Sequence, residues 1–360
     1  MQFIRALALG AALVVCAPLA AQEHPSRSIK ARAMRAALRL AAACVAACAM
    51  AVAAPLAAQE FPAKPVRVIV TFTSGGAADL TARIIGERLG DLWKQQVIVE
   101  NRIGAGGNIG VEAVQRAPAD GYTLLLVANT HAINVALYQK LPFDLLKDFT
   151  PIALTTSSPI VLAVNPRVPA NTLRDFEQML RDRPGKVDYA TCGVATAHHF
   201  AMELFKHATR TFAVHIPHRG CSPAVIDAVA GQVDVVIATM PAVLPYVKQG
   251  RLKALALTTK ERSPAAPEIP TFRESGIPQL KDFEVENYYG FMAPAGTPKE
   301  VVAKIQADLR TVLAQPELRN RLAASGLDPF FLPGEQAAAQ LARDIEKYRR
   351  AIQIANVKPE

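Results

Sequence analysis

Strand and helix patterns alternate along this 360-residue chain, and this alternation constrains the fold more than any other feature of the sequence. It begins with the β-branched run at 66–70, followed by Ser74-Gly75-Gly76 and by a helix over 78–92 whose apolar residues share one face. Two further strands are predicted at 97–99 and 122–127, with a short helix at 109–116 between them. Such alternation predicts a parallel sheet with crossover helices.

A second α/β unit follows after residue 160. Its strands and helices alternate up to about residue 258, and a proline-rich irregular stretch then covers 263–278. The predicted strands lie at 160–164, 188–191, 214–217, 233–238, 252–258 and 288–292, and the predicted helices between the first five lie at 173–181, 196–207, 223–230 and 243–249.

The tail of the chain is helical and has no sheet of its own. Its predicted helices cover 298–314, 316–325 and 334–355, so we expect it to pack back on the first unit. This arrangement predicts an α/β fold of two lobes around a ligand cleft, joined by two crossover strands near 160 and 285. The predicted limits are 59–162 plus 284–360 for a discontinuous first lobe and 163–283 for the second.

The first 58 residues have the pattern of an export signal, and they have it twice. Each copy has a basic start, a short apolar run and a small-residue end, and the string APLAAQE occurs at 17–23 and again at 54–60. Either Met34 is the true start or the signal is duplicated. Neither apolar run reaches the roughly 20 residues of a spanning helix, so we expect cleavage after Ala58 and a soluble, periplasmic mature protein. A lipoprotein attached through Cys48 is the alternative.

The export region also accounts for much of the charge. The formal net charge is +9, and residues 1–58 hold six basic residues and one acidic residue. Five of the nine excess charges therefore lie in the export region, and the remaining excess is spread along the chain. Nucleic-acid binding needs clustered basic charge, so no nucleic-acid partner is expected.

Two glycine-containing motifs resemble enzyme sites without matching them. The stretch 104–110 lacks the spacing of the dinucleotide-binding fingerprint and does not follow the first strand. Gly220-Cys221-Ser222 lacks the final glycine of a nucleophile elbow, and we predict that Ser222 caps a helix beginning at Pro223. We therefore expect no catalytic residue and no cofactor.

The histidines and cysteines leave more than one interpretation open. His198-His199 and His215-x-x-His218 have no acidic partner at ligand spacing, so no metal is expected. Cys192 and Cys221 both fall in loops predicted to face the cleft. They form either a disulfide, which an oxidising compartment permits, or a pair of free buried thiols.

Taken in order, the loop motifs resemble those of a known family. They are PAKPVRVIVTFTSGGAADLTAR, VIVENRIGAGGNIG, APADGYTLLL, LPFDLLKDFTPIA, HIPHRGCSPAVIDAVAGQVDVV and YYGFMAPAGTP. From about residue 61 to its C-terminus, the chain resembles the Bug family, the extracytoplasmic solute-binding receptors of tripartite tricarboxylate transporters. The resemblance implies a periplasmic-binding-protein-like fold of type II, a monomer without a catalytic step. Its lobes would close on a small organic, amino or aromatic acid and deliver it to membrane permease subunits.

The resemblance also implies a set of ligand-binding residues. In this family backbone amides, hydroxyls and waters hold the carboxylate, largely from loops that follow strands. The implied positions are Phe72, Thr73, Ser74, Gly75, Gly76, Asp79, Asn129, Thr130, His131, Thr191, Gly193, Thr196, His199, Arg219, Gly220 and Thr239. Ordinary structural roles are the alternative for several of them. Ser74 and Asp79 suit a helix start, and Arg219 suits a solvated loop.

The chain departs from the family pattern near the implied pocket. Prolines are usual at 71, 73 and 74, where this chain has Thr71, Thr73 and Ser74, so the first loop is predicted to be less rigid and richer in hydroxyls. The other departures are Ile103 for proline, Ala195 for glycine, Ala238 for an acidic residue, and His218-Arg219 for Tyr-Lys. These changes predict an unusual ligand.

Two other functions are compatible with the same sequence. One is a ligand sensor that binds a signalling partner instead of a permease. The other is a secreted enzyme acting on carboxylates, which would need a nucleophile–base pair or a metal constellation.

Overall fold

The computed structural model describes residues 34, 36–42 and 61–355. Residues 34 and 36–42 are helical and belong to a separate unit, and one compact unit begins at Phe61. The predicted cleavage sites and Cys48 lie outside the described residues. Within the described part of the chain, no helix combines the length and the apolar character needed to cross a membrane.

Eleven strands in the body that begins at Phe61 form two sheets. The first sheet contains β1 (Val66–Val70), β2 (Val97–Asn101), β3 (Thr123–Ala128), β4 (Phe149–Ser157), β10 (Tyr288–Pro294) and β11 (Asp328–Pro333), in the order β11-β4-β10-β3-β1-β2. The second sheet contains β5 (Ile160–Val164), β6 (Asp188–Thr191), β7 (Val214–Pro217), β8 (Val235–Thr239) and β9 (Lys253–Leu257), in the order β7-β6-β8-β5-β9.

Both sheets are mixed, so the prediction of parallel sheets is wrong in part. β1 pairs in parallel with β2 and β3, but β10 is antiparallel to β3 and β4, and β11 is antiparallel to β4. In the second sheet β6 is parallel to β7 and β8, and β5 is antiparallel to β8 and β9. The antiparallel pairs arise where the chain crosses from one sheet to the other. β5 and β10 each enter a sheet at the edge where its parallel strands end, so they run in the opposite direction.

Ten helices cover the sheets in the described body. They are α1 (Ala77–Trp93), α2 (Asn108–Gln115), α3 (Asn129–Leu137), α4 (Leu173–Asp182), α5 (Ala197–Thr209), α6 (Cys221–Ala230), α7 (Met240–Lys248), α8 (Lys299–Leu313), α9 (Pro316–Ala324) and α10 (Gly334–Ala355). The proline-rich stretch holds the short 3-10 turn Arg273–Ser275 and an isolated bridge from Thr271 to Leu257, and a second 3-10 turn, Pro278–Leu280, begins at its end.

Three elements were not predicted from the sequence. α3 begins directly at the end of β3, where only a loop was expected. β4 and β11 contain prolines, which weaken a strand pattern. Pro151 of β4 pairs opposite Met292 next to a register shift, and β11 lies at a sheet edge, which are the places where a sheet tolerates proline.

The tail packs on the first sheet, as expected. α8 contacts α1 and β4, α10 contacts α3 and β4, and β11 extends the sheet as an edge strand. The predicted lobe limits stay a prediction, although β5 begins at Ile160, three residues before the predicted start of the second lobe.

The hydrophobic core is continuous across the two sheets. One cluster contains Ile69 and Leu125 of the first sheet together with Leu162 and Val235 of the second. Separate clusters fill the outer faces, one under α1 and α8 and the other under α6 and α7. The two sheets thus share part of their core, and the edges where β1, β3, β6 and β8 end face a common cleft.

Candidate functional site

Five helices begin at a small, partly open cavity of about 20 Å³ in this cleft. Each contributes its N-cap or one of its first residues to the cavity wall. These residues are Gly76, Ala77 and Ala78 of α1, Thr130 of α3, His198 of α5, Cys221 of α6 and Thr239 of α7. Helix N-termini present unpaired N–H groups and the positive end of the helix dipole, and both attract anions. No lysine or arginine lines the cavity, so its attraction for an anion comes from the main chain.

Two buried polar atoms in the cavity wall have no hydrogen-bond partner among the residues that the structure describes. They are Oγ1 of Thr239 and Nδ1 of His198, whose residues are 2% and 5% exposed. Buried polar atoms are nearly always paired in native proteins. The hydroxyl and the imidazole nitrogen can therefore each form a hydrogen bond with a water or with a polar group of a ligand in this cavity.

A wider cleft of about 650 Å³ lies next to the cavity. Phe72, Thr73 and Cys192 line both spaces, so one opens towards the other. The wall of the wider cleft also includes the glycine-rich turn 104–107, Gly193, Thr196, His218, Arg219 and Gly220. Arg219 is exposed there, which places the one arginine of the lining at the solvent side.

The first loop is held in shape by Asp79. Its carboxylate accepts hydrogen bonds from Gly75 N at 3.0 Å, Arg83 Nε at 3.0 Å and Asn101 Nδ2 at 2.9 Å. Burial raises the pKa of Asp79, but the hydrogen bonds from Arg83, Gly75 and Asn101 outweigh it and keep the pKa below its ordinary value. Asp79 therefore positions the loop and does not line the cavity.

His131 and Asn129, in the first turn of α3, also bond within the protein. His131 Nδ1 accepts a hydrogen bond from Ala128 N at 2.9 Å, and its Nε2 lies 3.1 Å from Thr71 Oγ1. Nδ1 also lies 3.1 Å from Ala128 O, so both ring nitrogens have a partner whichever of them carries the proton. Asn129 Nδ2 donates to Tyr348 Oη at 3.1 Å. These residues fix the start of α3, and Thr130 between them faces the cavity.

His199 lies away from the cavity, unlike its neighbour His198. Its ring stacks on His215 with 4.1 Å between the ring centroids, and its Nε2 lies 3.7 Å from Glu203 Oε1. Burial lowers the pKa of His199 to about 4 and that of His198 to about 3, so both rings are neutral near pH 7. Adjacent helical residues point about 100° apart, which explains why only one of the pair lines the cavity.

Cys192 and Cys221 form a disulfide with an S–S distance of 2.01 Å. Of the two arrangements that the sequence left open, the structure has the cross-link. Together with His198, these cysteines bring three potential metal-ligand atoms within 4.8 Å of one another. Because the two sulfurs are bonded to each other, this cluster is a disulfide beside a histidine and not a thiolate metal centre.

Three of the contacts between the two sides of the cleft lie beside the cavity. Ser222 Oγ donates a hydrogen bond to Ser74 O at 2.9 Å, and Ala197 N donates to Thr130 Oγ1 at 3.5 Å. At the third contact Gly220 lies so close to Thr73 that a Cβ on the glycine would overlap the threonine side chain.

The prediction that Ser222 caps a helix is wrong, since α6 begins at Cys221 with no side-chain cap.

Nine of the sixteen predicted ligand-binding residues line the cavity or the wider cleft. They are Phe72, Thr73, Gly76, Thr130, Gly193, Thr196, Arg219, Gly220 and Thr239. The other seven, Ser74, Gly75, Asp79, Asn129, His131, Thr191 and His199, are not among the lining residues and bond to other parts of the protein or stack on a neighbouring ring. Binding by any of the sixteen stays a prediction.

Sequence reasoning missed Ala77, Ala78, His198, Asn287 and Tyr289 as cavity residues, and it gave the cysteines no ligand role. For His198, the 100° rotation between neighbours on a helix was a usable signal, but nothing in the sequence said which histidine faced inward. Asn287 and Tyr289 reach the cavity because β10 starts there, and the sequence pattern does not show that direction.

Comparisons with known proteins agree on one family. The family model of the tripartite tricarboxylate transporter family receptor matches residues 81–357. The chain is 35% identical over 294 residues to the UPF0065 protein in the tcbD-tcbE intergenic region of Pseudomonas sp. strain P51, which covers 80% of this chain and 85% of the relative. It is 32% identical over 297 residues to Protein BugT of Bordetella pertussis, which covers 82% of this chain and 90% of BugT.

Solved structures share the fold. The R. palustris protein Rpa4515, solved with adipate, has a TM-score of 0.80 and 29% identity, covering 84% of this chain and all of that one. MatC from Rhodopseudomonas palustris, solved with malate, has a TM-score of 0.75 and 30% identity, covering 81% of this chain and all of that one. The two-lobed α/β fold is thus that of periplasmic binding proteins of type II. The chain belongs to the Bug family of tripartite tricarboxylate transporter receptors, which are periplasmic solute-binding proteins and not enzymes.

Proposed function

We propose that this protein captures a small carboxylate in the periplasm by closing its two lobes on it. The observation that carries the proposal is the convergence of five helix N-termini on one cavity whose lining holds no cationic side chain. A carboxylate bound there accepts hydrogen bonds from main-chain N–H groups and from the unpaired hydroxyl of Thr239. Two relatives of 29% and 30% identity were solved with adipate and malate, which are both carboxylates.

Delivery to membrane subunits is the second part of the proposal. It rests on the family, whose members are receptors of tripartite tricarboxylate transporters, and on the contacts between the two sides of the cleft, which give a closed shape for a permease to recognise. In cells, uptake of a labelled acid should require both this protein and a permease pair. Uptake that persists without the protein would contradict delivery.

Ligand binding is tested by thermal unfolding and calorimetry with malate, adipate, succinate, citrate and benzoate. A ligand at about 100 times its Kd stabilises a protein by about 2.7 kcal/mol, so at least one acid should raise the melting temperature and release or absorb heat. Small-angle scattering should show a smaller radius of gyration if binding favours closure. A broader panel of mono-, di- and tricarboxylates without any effect would contradict carboxylate binding.

Thr239 provides a sharper version of the same test. Thr239→Val removes the unpaired hydroxyl and keeps the shape, so it should weaken acid binding by about 5- to 20-fold with little loss of stability, since an unpaired buried hydroxyl contributes none. Thr209→Val is the matched control. Thr209 is buried outside the cleft lining, and its hydroxyl donates to Phe205 O at 2.8 Å. This control should lower stability and leave the affinity unchanged.

Export is proposed from the duplicated signal pattern at 1–58. The mass and N-terminal sequence of protein from the periplasmic fraction should correspond to a chain beginning at Gln59. A lipid-modified N-terminus at Cys48 would contradict the soluble form.

A further inference from the structure

The disulfide of the cleft lies beside a histidine and against the ligand cavity. Cys192, His198 and Cys221 all line that cavity, with exposures of 5%, 5% and 8%. His198 Nε2 is 3.8 Å from Cys221 Sγ, while the other ring nitrogen has no partner. The cross-link therefore lies where the apolar cluster under α6 and α7, to which both cysteines belong, meets the cavity.

The two sulfurs of the disulfide have different surroundings. Cys221 is the first residue of the ten-residue helix α6, whose N-cap is Gly220. A thiolate at a helix N-terminus is stabilised by the helix dipole, and the neutral ring of His198 can donate a hydrogen bond to it from Nε2–H. Cys192 instead follows the end of β6, so no helix begins at it.

No carboxylate opposes a negative charge on Cys221 among the residues that line the cavity. The other titratable groups of the lining are Cys192, His198 and Tyr289. Asp227, the carboxylate of α6 itself, is held by His218 Nε2 at 2.8 Å. Across the cleft, the Asp79 carboxylate is engaged by Arg83, Asn101 and Gly75.

We propose that the Cys192–Cys221 bond is a reversible thiol–disulfide exchange site in the ligand cleft, with Cys221 as the sulfur that leaves as a stabilised thiolate. The reductant is a dithiol. Its thiolate attacks Cys192 Sγ and forms a mixed disulfide, and the S–S electron pair goes to Cys221. The second thiol of the reductant, as its thiolate, then releases Cys192, which takes up a proton. The reductant loses two electrons and becomes a disulfide, and the protein gains the same two electrons.

Reduction has a consequence for binding, and this part rests on the proposed function. A thiolate on Cys221 would lie in the same cavity as the carboxylate, and like charges close together repel. The reduced protein should bind acids at least several-fold more weakly than the oxidised protein. By linkage, a bound acid should make the disulfide harder to reduce by the same factor.

The primary test measures the reactivity of Cys221 in the Cys192→Ser protein. Alkylation by iodoacetamide is followed against pH, and the Cys221 peptide is quantified by mass spectrometry, so other cysteines do not interfere. We expect half-maximal rate below about pH 7.5, whereas an ordinary thiol titrates near 8.5. His198→Leu in the same background removes the N–H donor and should move the midpoint up by about one unit. The matched control His199→Leu should not, because His199 faces away from the cavity.

A midpoint at or above 8.5, or an equal effect of both histidine variants, would overturn the proposal. Circular dichroism checks that each variant is folded. If Cys192→Ser does not fold, the test is reduction of the disulfide in the native protein. Dithiothreitol without denaturant should reduce the bond fully, and removal of the reductant in air should restore it. A disulfide that is reduced only after denaturation would overturn the proposal.

The binding consequence is tested separately with malate and adipate on oxidised and reduced protein. Equal binding in both states would overturn the link between reduction and binding. Binding in neither state would count against the proposed function, and the alkylation result would still decide whether the exchange site exists.

Discussion

The hydroxyl of Ser222 donates a hydrogen bond to the main-chain carbonyl of Ser74 across the cleft, over 2.9 Å. Ser222 is the second residue of α6, and Ser74 lies in the loop between β1 and α1. The bond joins two helix starts that both face the cavity, so the same segments that would hold a ligand also hold the lobes together.

Ser222→Ala should shift the protein towards the open form. A typical intramolecular hydrogen bond contributes about 0.5–1.5 kcal/mol, and this one is exposed, so we expect the low end of that range. Acid affinity should fall about two- to threefold, as measured by calorimetry, with the melting temperature of the free protein nearly unchanged. An affinity equal to that of the wild type would show that the bond does not contribute to closure.

Gly220→Ala should keep the lobes from closing. The new Cβ would overlap Thr73, and Gly220 has a φ of +127°, a conformation that non-glycine residues rarely adopt. We expect more than tenfold weaker acid binding and a larger radius of gyration in small-angle scattering.

Gly193→Ala is the control for backbone strain at Gly220. Gly193 has a φ of +129°, and the nearest atoms to its Cβ position belong to His218 and Thr196, on the same side of the cleft. Both variants should lose stability, but only Gly220→Ala should enlarge the molecule. If Gly193→Ala also increases the radius of gyration, the increase in Gly220→Ala comes from backbone strain and not from the overlap with Thr73.

Asp79→Asn should loosen the first loop. The substitution removes the charge that Arg83 faces and cannot accept all three hydrogen bonds, so we expect a loss of about 1–3 kcal/mol near pH 7. The pKa of Asp79 is held below its ordinary value. Its charge therefore contributes stability that is fully present above the unfolded-state pKa and is lost as pH falls through the folded-state pKa.

The difference between wild type and Asp79→Asn in urea unfolding should accordingly shrink below about pH 4. Asp91→Asn, at an exposed position of the same helix, should have little effect at either pH. If the difference in free energy of unfolding between wild type and Asp79→Asn stays constant down to pH 2, the charge of Asp79 does not stabilise the fold.

His131 should make the protein less stable in mild acid. Burial lowers its pKa from the ordinary 6.5 to about 4, so between these values the unfolded chain binds a proton that the folded protein does not. Stability from the neutral ring is complete above about pH 6.5 and falls as pH drops towards 4, by an amount on the order of 3 kcal/mol.

His131→Gln should therefore give a shallower fall of melting temperature between pH 6.5 and 4, together with a lower value at pH 7 because the bonds to Ala128 and Thr71 are lost. His207→Gln, at an exposed position of α5, should follow the wild-type curve. If the melting temperatures of His131→Gln and wild type fall in parallel between pH 6.5 and 4, His131 is not a source of the acid sensitivity.

Periodicity in the sequence was sufficient to predict most of the elements. The apolar face of 78–92 and the β-branched runs at 66–70 and 160–164 correspond to α1, β1 and β5, because burial of one face imposes a repeat on the sequence. Strand direction was not predictable in this way. Whether β10 runs with or against β3 depends on where the chain crosses between the sheets, and no local pattern records that crossing.

The candidate site was predictable only in part for a similar physical reason. Motif order located Thr73, Thr130 and Thr239, which lie in the cavity wall. His131 and Asp79 have the same polar character, yet they bond to Ala128 and Gly75 and support the site from behind. Polarity shows that a residue needs a partner, but it does not show whether that partner is a ligand or the protein itself.

The cavity in which five helices begin separates two requirements that most binding sites combine. In the proposed carboxylate site, affinity for the anion resides in peptide groups, which every amino acid carries, so it survives replacement of the side chains around it. Those side chains, among them His198, Thr239 and the cysteine pair, are free to vary with the rest of the ligand. A receptor built in this way can acquire a new acid by a few substitutions while the geometry that recognises acids in general is inherited unchanged.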